Sequence, residues 1–327
     1  MNHISINKGH DIKLTGVPNQ EIIQAPTPKS VSILPNHFRN VKPKLLVKEG
    51  DIVNIGSPLF FDKSKPEVKW ASPASGQIRT IQFGARRVVE KIEVAIKDNE
   101  KVSFPALTQL NLESLDRNKI LDIILEANLF TLIRQRPFNK VADPKDTPRD
   151  IFISGHNSYP LSVDLQNLIE QERDAFQTGL TLLNKLTEGT VFLTLRSPMQ
   201  FENVSVQTIS GPHPSGNVGI QIHHTKPLKP GEVIWSVNAQ HVITLGKLFK
   251  TGSYDPAVIV SIGGSGATNP STVKTITGVN IGLLVEEQNL KEPARLISGD
   301  VLTGKTVENA DFLGFYDSSV SIINDDV

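Results

Sequence analysis

The hydrophobic repeat of this chain changes twice along its 327 residues, and each change marks a different kind of layer. From residue 1 to 100 the apolar residues come in short runs split by turn formers. In "PKLLVKEGDIVNIGSPLFF" the pairs Gly50-Asp51 and Gly56-Ser57 separate apolar stretches, as tight turns between short strands do. In "RRVVEKIEVAIK", Val88, Glu90, Ile92, Val94 and Ile96 alternate with Val89, Lys91, Glu93 and Ala95, a period near two that predicts one apolar strand face. From 101 to 256 the period lengthens. Leu112, Leu115, Ile120, Ile124 and Leu125 recur at roughly helical spacing. "FQTGLTLLNKLTEG" predicts a helix with Gly189 as a left-handed stop. "NAQHVITLGKLFKTG" predicts another, with Asn238 as N-cap, a stripe of Val242, Leu245, Leu248 and Phe249, and Gly252 past its end. The short apolar strands "RDIFISG" and "TVFLTL" alternate with these helices, as in an α/β layer. From 257 to 327, "AVIVSIGG", "NPSTVKTITG" and "ISGDVLTGKTV" are turn-separated strands and "NIGLLVEEQNL" supplies a single helix, which suggests a β-grasp-like module. The expectation is a mixed α/β, multidomain chain: 1–100 β-rich, 101–256 α/β, 257–327 β-grasp-like. "KVADPKDTPRD", with Pro144 and Pro148, reads as a connection.

Composition narrows the function. Charge is balanced, 34 basic residues against 34 acidic, which argues against a general nucleic-acid surface. Cysteine is absent, so there is no disulfide, no thiolate metal or iron–sulfur site and no cysteine nucleophile. No apolar run reaches the ~18 residues of a membrane span, and the N-terminus lacks the apolar core of a secretory signal. The expectation is a soluble chain, free to sit peripherally on a membrane complex.

The motifs divide into carriers, nucleotide loops and charged clusters. "LFFDKSKPEVKWASPASG" looks like the hairpin on which carrier domains hold lipoyl or biotin, with Asp62-Lys63 at the tip and "SPASG" as the following turn. The spacing is about two residues longer than the lipoyl pattern, Pro66 removes a hairpin donor, and the biotin tetrapeptide is missing, so the fold is expected without modification of Lys63 or Lys65. "SIGGSGATNP" follows a strand, and Gly264 and Gly266 fit a dinucleotide fingerprint, but the third glycine position is Asn269 and Pro270 follows, so a plain turn is preferred. His213, His223 and His224 lack metal-ligand spacing; as strand neighbours, His223 and His224 would face opposite ways. Asp116, Asp122 and Glu126 read as a solvated helix face, and of Arg86 and Arg87 at least one faces solvent. "RQRPFNK" gathers Arg134, Arg136 and Lys140 around Phe138. It is either a clamp for a carboxylate, phosphate or ring, or a solvated turn with one anchored aromatic.

Several stretches occur together in one order: "VKEGDIVNIGSPLFFDK", "SPASGQI", "RRV", "RPFNK", "IFISGHNSYPL", "HPSGNVGIQIH", "VNAQHVITLGKLFKTG" and "ISGDVLTG". Over nearly its whole length the chain resembles the A subunits of bacterial sodium-translocating NADH:quinone oxidoreductases. The resemblance implies a biotinyl/lipoyl-like first domain, a Rossmann-like second and a β-grasp third of the soluble-ligand-binding type. It also implies kinship with the flavoprotein subunit of respiratory complex I, stripped of its cofactors. It implies a cofactor-free peripheral subunit on the cytoplasmic face of the inner membrane, with five other subunits as partners, chiefly the one that holds quinone. FAD, FMN, riboflavin and iron centres belong to those other subunits, and quinone is the substrate of the whole. Arg134, Arg136, Phe138 and Lys140 are then expected near quinone, where a guanidinium can stabilise reduced-quinone charge and a ring can stack. Three departures accompany the resemblance. The family continues for roughly another hundred residues as a helical domain; its His-x-His reads Gln221-Ile222-His223 here; and "SGAT", Ser265 to Thr268, echoes a flavin-attachment motif but has Ile262 where an acidic residue stands. The competing readings are a lipoyl or biotinyl carrier and a standalone nucleotide- or quinone-binding protein.

Overall fold

The short strands of the first hundred residues pair into two antiparallel sheets over one core. The computed structural model describes residues 2–107, 111–288, 290 and 293–324. One sheet runs in the order Ser30–Ile33, Val89–Asp98, Ser75–Phe83, Ile52–Val53; the other is Pro43–Leu45, Pro58–Asp62, Lys65–Ala71. Between them Trp70 stacks on Phe60 at 4.5 Å, and Phe38 meets Trp70 edge-on at 5.0 Å. The predicted alternation holds for Ile92 and Val94, both buried, but changes phase further back. Val89 is buried and Val88 exposed, because the pairing shifts register between Gln82 and Phe83, which face Lys91 and Val89. One extra residue in a strand moves every side chain beyond it to the other face.

The chain's first residues lie outside these two sheets. Strand Asn2–Ser5 pairs in parallel with Ser205–Ser210, and Ile22–Gln24 pairs in parallel with Ser271–Ile276. The N-terminal segment therefore ties all three units together.

The middle sheet has seven strands in the order Asn2–Ser5, Ser205–Ser210, Val191–Leu195, Ile151–Ser154, Ile234–Asn238, Ile133–Arg136, Lys140–Val141. The first five are mutually parallel, and the last two are antiparallel additions at the edge. Alternate residues serve opposite faces. Ile151 and Ile153 join the core under helices Leu165–Gln171, Arg173–Asn184 and Ala239–Thr251, while Phe152 packs with Ile222 of helix Val218–Thr225. Helix Ala239–Thr251 starts and stops as its sequence predicts: Asn238 Oδ1 accepts from the Gln240 N–H at 2.9 Å, and Gly252 is left-handed at φ 67. Helix Arg173–Asn184 does not run on to Gly189; its cap is Lys185. Gly189 is needed for another reason, since a Cβ there would lie 1.8 Å from the Arg149 carbonyl.

Two glycines let helices Arg173–Asn184 and Ala239–Thr251 touch backbone to backbone. A Cβ on Gly179 would stand 2.2 Å from the Val242 carbonyl, and one on Gly246 1.8 Å from that of Ala175. Gly246→Val is expected to force the pair apart and cost at the upper end of about 1–3 kcal/mol. A urea midpoint unchanged from wild type would show that the contact is looser than this.

The C-terminal sheet runs Lys305–Val307, Ala294–Ser298, Ser319–Asn324, Ala257–Gly263, Ser271–Ile276, Ile22–Gln24. One helix, Ile281–Val285, packs against it, capped by Asn280, whose side chain accepts from the Leu283 N–H at 3.1 Å. Phe315 and Tyr316 of this unit meet Phe38 at 5.2 and 5.7 Å, so the C-terminal unit leans on the first. Among the described residues no helix is long and apolar enough to cross a membrane.

Candidate functional site

Strands Ile151–Ser154 and Ile234–Asn238 are neighbours in the sheet, but the chain leaves and reaches them from opposite directions. From Ile151–Ser154 it passes to Val191–Leu195 and Ser205–Ser210 on one side, then crosses back through helix Val218–Thr225 to Ile234–Asn238 on the other. Such a reversal opens a crevice at the carboxyl ends of the two strands, where open α/β sheets take their ligands. Here it holds a cavity of about 510 Å³. Ser154 and Asn238 border it from the strand ends, Gly216 to Ile220 from the start of helix Val218–Thr225, and Thr303 and Tyr316 from the C-terminal unit.

The charge in this cavity comes from strand Ile133–Arg136. Arg134 and Arg136 are two apart in a strand and so share a face. Arg134 Nε donates to Asn139 Oδ1 at 2.8 Å, and its guanidinium lies 4.6 Å from the centre of the Tyr316 ring. Tyr316 is fixed in turn by donating to the Thr131 carbonyl at 2.8 Å, and its buried phenol is pushed well above the ordinary range. Arg136 has a buried Nε with no acceptor, and burial, then the charges of Arg134 and Arg39, lower its pKa to about 10. His241, whose Nδ1 sits 3.2 Å from the Leu132 carbonyl, is lowered to about 4 mainly by burial and is neutral at pH 7. The cavity is therefore cationic through its arginines alone, and it can hold an anion or polarise an oxygen that gains charge.

The four residues singled out around "RQRPFNK" are divided by the fold. Arg134 and Arg136 line the main cavity. Phe138 sits at the turn and is 65% exposed, its carbonyl accepting from Arg39 Nη1 at 3.3 Å. Lys140 pairs in register with Gln135, the residue between the two arginines, and borders a second cavity of about 140 Å³ that Arg134 and Tyr316 also line. Lys63 is exposed at the predicted hairpin tip, whereas Lys65 is drawn down to Asp143 at 3.3 Å. The glycine-rich loop is closed: Gly264 donates to the Gly16 carbonyl at 2.9 Å, and strand Ser271–Ile276 follows it, so no helix N-terminus stands there for a phosphate. Thr268 donates through its hydroxyl to the Gln288 carbonyl.

His223 and His224 are not strand neighbours; they end helix Val218–Thr225 with rings 5.1 Å apart. His213 Nδ1 is 3.0 Å from the Ser158 hydroxyl. Among the described residues no group of three or more histidines and carboxylates converges as metal ligands. Asp116 caps helix Arg117–Glu126 by accepting from the Lys119 N–H at 2.8 Å. Sequence reading missed Asn217 to Gly219, Asn238, His241 and Tyr316 as site residues. The Gly-Asn of "SGNVGIQIH" was the available signal, since Asn before an apolar stretch is a helix start.

Three family models match the chain in order: the NqrA N-terminal barrel-sandwich hybrid domain over 4–97, the NqrA second alpha/beta domain over 115–254, and the NQRA C-terminal domain over 259–309. Curated relatives are named as the A subunit of the Na(+)-translocating NADH-quinone reductase. The one from Pasteurella multocida is 35% identical over 98% of this chain and 74% of its own length; that from Marinomonas sp. is 35% identical over 97% and 72%. The Pseudomonas aeruginosa relative is 34% identical over 98% and 73%. Three domain models in sequence and identity of this order across almost every residue place the chain in the family of A subunits of the Na(+)-translocating NADH-quinone reductase.

Proposed function

We propose that this chain is a peripheral subunit of a Na(+)-translocating NADH-quinone reductase and supports quinone reduction coupled to sodium export. The observation that carries this is the 35% identity over 98% of the chain to a relative of that name. In this reading the middle layer is Rossmann-like and the C-terminal unit β-grasp-like, both without a redox group. The other five subunits supply FAD, FMN, riboflavin and iron centres, and the chain docks on the cytoplasmic face against the membrane partner that holds quinone. Arg134 and Arg136 are proposed to stand near quinone, with Phe138 and Lys140 at the same edge; the support is the pair of guanidiniums in one cavity and the exposed ring beside them.

The test is sodium-dependent NADH:quinone reductase activity in membranes of a host lacking this chain. Loss of activity, restored by the wild-type gene, is expected; full quinone reduction and sodium transport in its absence would overturn the assignment. Arg136→Ala with Phe138→Ala is expected to raise the KM for quinone by roughly tenfold, the loss of one charge-assisted contact. An unchanged KM in a folded double variant would remove these residues from the quinone path. The carrier reading has one observation in its favour, the exposure of Lys63 at a hairpin tip. Intact mass of protein from its own host separates the two: the proposal expects the unmodified mass and no visible absorption, and an added lipoyl, biotinyl or flavin mass sinks it.

A further inference from the structure

Arg136 is a positive charge placed against another positive feature, the start of helix Val218–Thr225. Its guanidinium has no hydrogen-bond or ion-pair partner among the described residues, and its Nε is fully enclosed. It lies over the first turn of helix Val218–Thr225, where a Cβ on Gly219 would come 3.9 Å from its Nη1. That helix end is uncapped. Asn217 occupies the N-cap position, but its side chain accepts no backbone N–H. The Gly216 N–H is taken by the Ser158 hydroxyl and the Asn217 N–H by the Pro214 carbonyl, yet the N–H groups of Val218 and Gly219 donate to no protein acceptor among the described residues. A helix start carries a partial positive charge, and a cation beside it is unfavourable. Arg134 and Arg39 add two more guanidiniums nearby, and no carboxylate figures among the charges acting on Arg136.

Arg136 is half-buried, yet its Nε is sealed from water without an acceptor, and an unsatisfied donor of this kind calls for a partner that a ligand oxygen can supply. The geometry points to a site for a phosphate monoester, its phosphate held between the Arg136 guanidinium and the free amides that open helix Val218–Thr225. A tetrahedral dianion suits this set, because a guanidinium fork takes two oxygens and backbone amides a third. Ser154, Asn157 and Asn238 give the rest of the cavity a polar lining fit for a sugar or other hydroxylated body. The volume of about 510 Å³ lies within the range of small-molecule sites. The inference shares Arg134 and Arg136 with the proposed quinone contact, and the two make different demands: a dianion needs the helix amides, a quinone does not.

Calorimetric titration of the full chain at low ionic strength tests it, with inorganic phosphate, adenosine monophosphate and adenosine as probes. Phosphate and the monophosphate are expected to bind and adenosine not to. Arg136→Gln is expected to weaken phosphate binding about tenfold or more, and Arg136→Lys to retain part of it. The sharper variant is Gly219→Asp. It places a carboxylate where the ligand's charge would sit, beside Arg136 and the helix start, so phosphate binding should vanish while the melting temperature holds or rises. A purely structural Arg136 would not produce that opposite pair of effects. Failure of wild-type chain to bind either phosphate probe, or equal binding by Gly219→Asp, overturns the inference. A short-chain quinone titrated in parallel keeps the readings apart: Arg136-dependent quinone binding without phosphate binding sinks this inference alone, and phosphate binding without quinone binding sinks only the quinone contact.

Discussion

Asp150→Ala is expected to destabilise the chain by about 3–5 kcal/mol, because it strips a buried anion from between two cations. Asp150 is fully buried just ahead of strand Ile151–Ser154. Its Oδ1 accepts from the Thr190 N–H at 3.0 Å and from Lys226 Nζ at 2.9 Å; its Oδ2 accepts from Arg149 Nε at 2.7 Å. Arg149 also reaches Glu232 and the carbonyls of Pro227 and Lys226. One carboxylate thus fastens the start of the central strand to the start of strand Val191–Leu195 and to the segment that leads into Ile234–Asn238. Alanine leaves Lys226 and Arg149 facing one another with the Thr190 amide unpaired. Asp150→Asn keeps an acceptor for that amide and should lose less. Chemical denaturation of the three proteins reads the effect. A loss below about 1 kcal/mol for alanine, the range of an exposed pair, would mean that the cluster is solvated and this account of the sheet's anchor is wrong.

Acidification is expected to produce the second large loss, between pH 6.5 and about 4. His241 and His37 are both lowered from 6.5 to about 4, in each case chiefly by burial. At His241 the Leu132 carbonyl works in the opposite direction and the charge of Arg134 adds to the lowering; at His37, Lys305 lowers and Asp311 raises. The folded pKa of each lies below the unfolded one, so on acidification the unfolded chain takes up the proton first. The stability these histidines contribute is therefore whole above pH 6.5 and drains away as pH falls toward 4. For His241 the loss is on the order of 2–3 kcal/mol. Urea midpoints measured from pH 7 to 4.5 should fall steeply for wild type and less steeply for His241→Gln, which cannot titrate. Parallel curves for the two proteins would show that His241 is not held neutral by burial.

What could be read along the chain follows the range of the forces involved. Asn238 caps its helix and Gly252 ends it because both effects act within a few residues. The same local logic placed the turns of the first domain and the hairpin that carries Lys63. It failed at Gly189, where the need for glycine comes from the Arg149 carbonyl 40 residues away in sequence, and at Val88 and Val89, where a register shift against a partner strand decides which one is buried. It failed also at His223 and His224, whose eight-residue helix is too short to show a clear period.

The amino-acid order by itself determined the succession of layers, the family and the cationic character of the "RQRPFNK" segment, because alternation, caps and charge are properties of neighbours along the chain. Only the tertiary structure decided that strand Asn2–Ser5 closes a sheet with Ser205–Ser210, that Lys140 pairs with Gln135 rather than with either arginine, and that Arg136 stands over the open end of helix Val218–Thr225. The first and last of these join residues some 80 to 200 positions apart. They are set by which apolar faces can be buried together and which backbone groups can reach each other, and no local pattern encodes that choice.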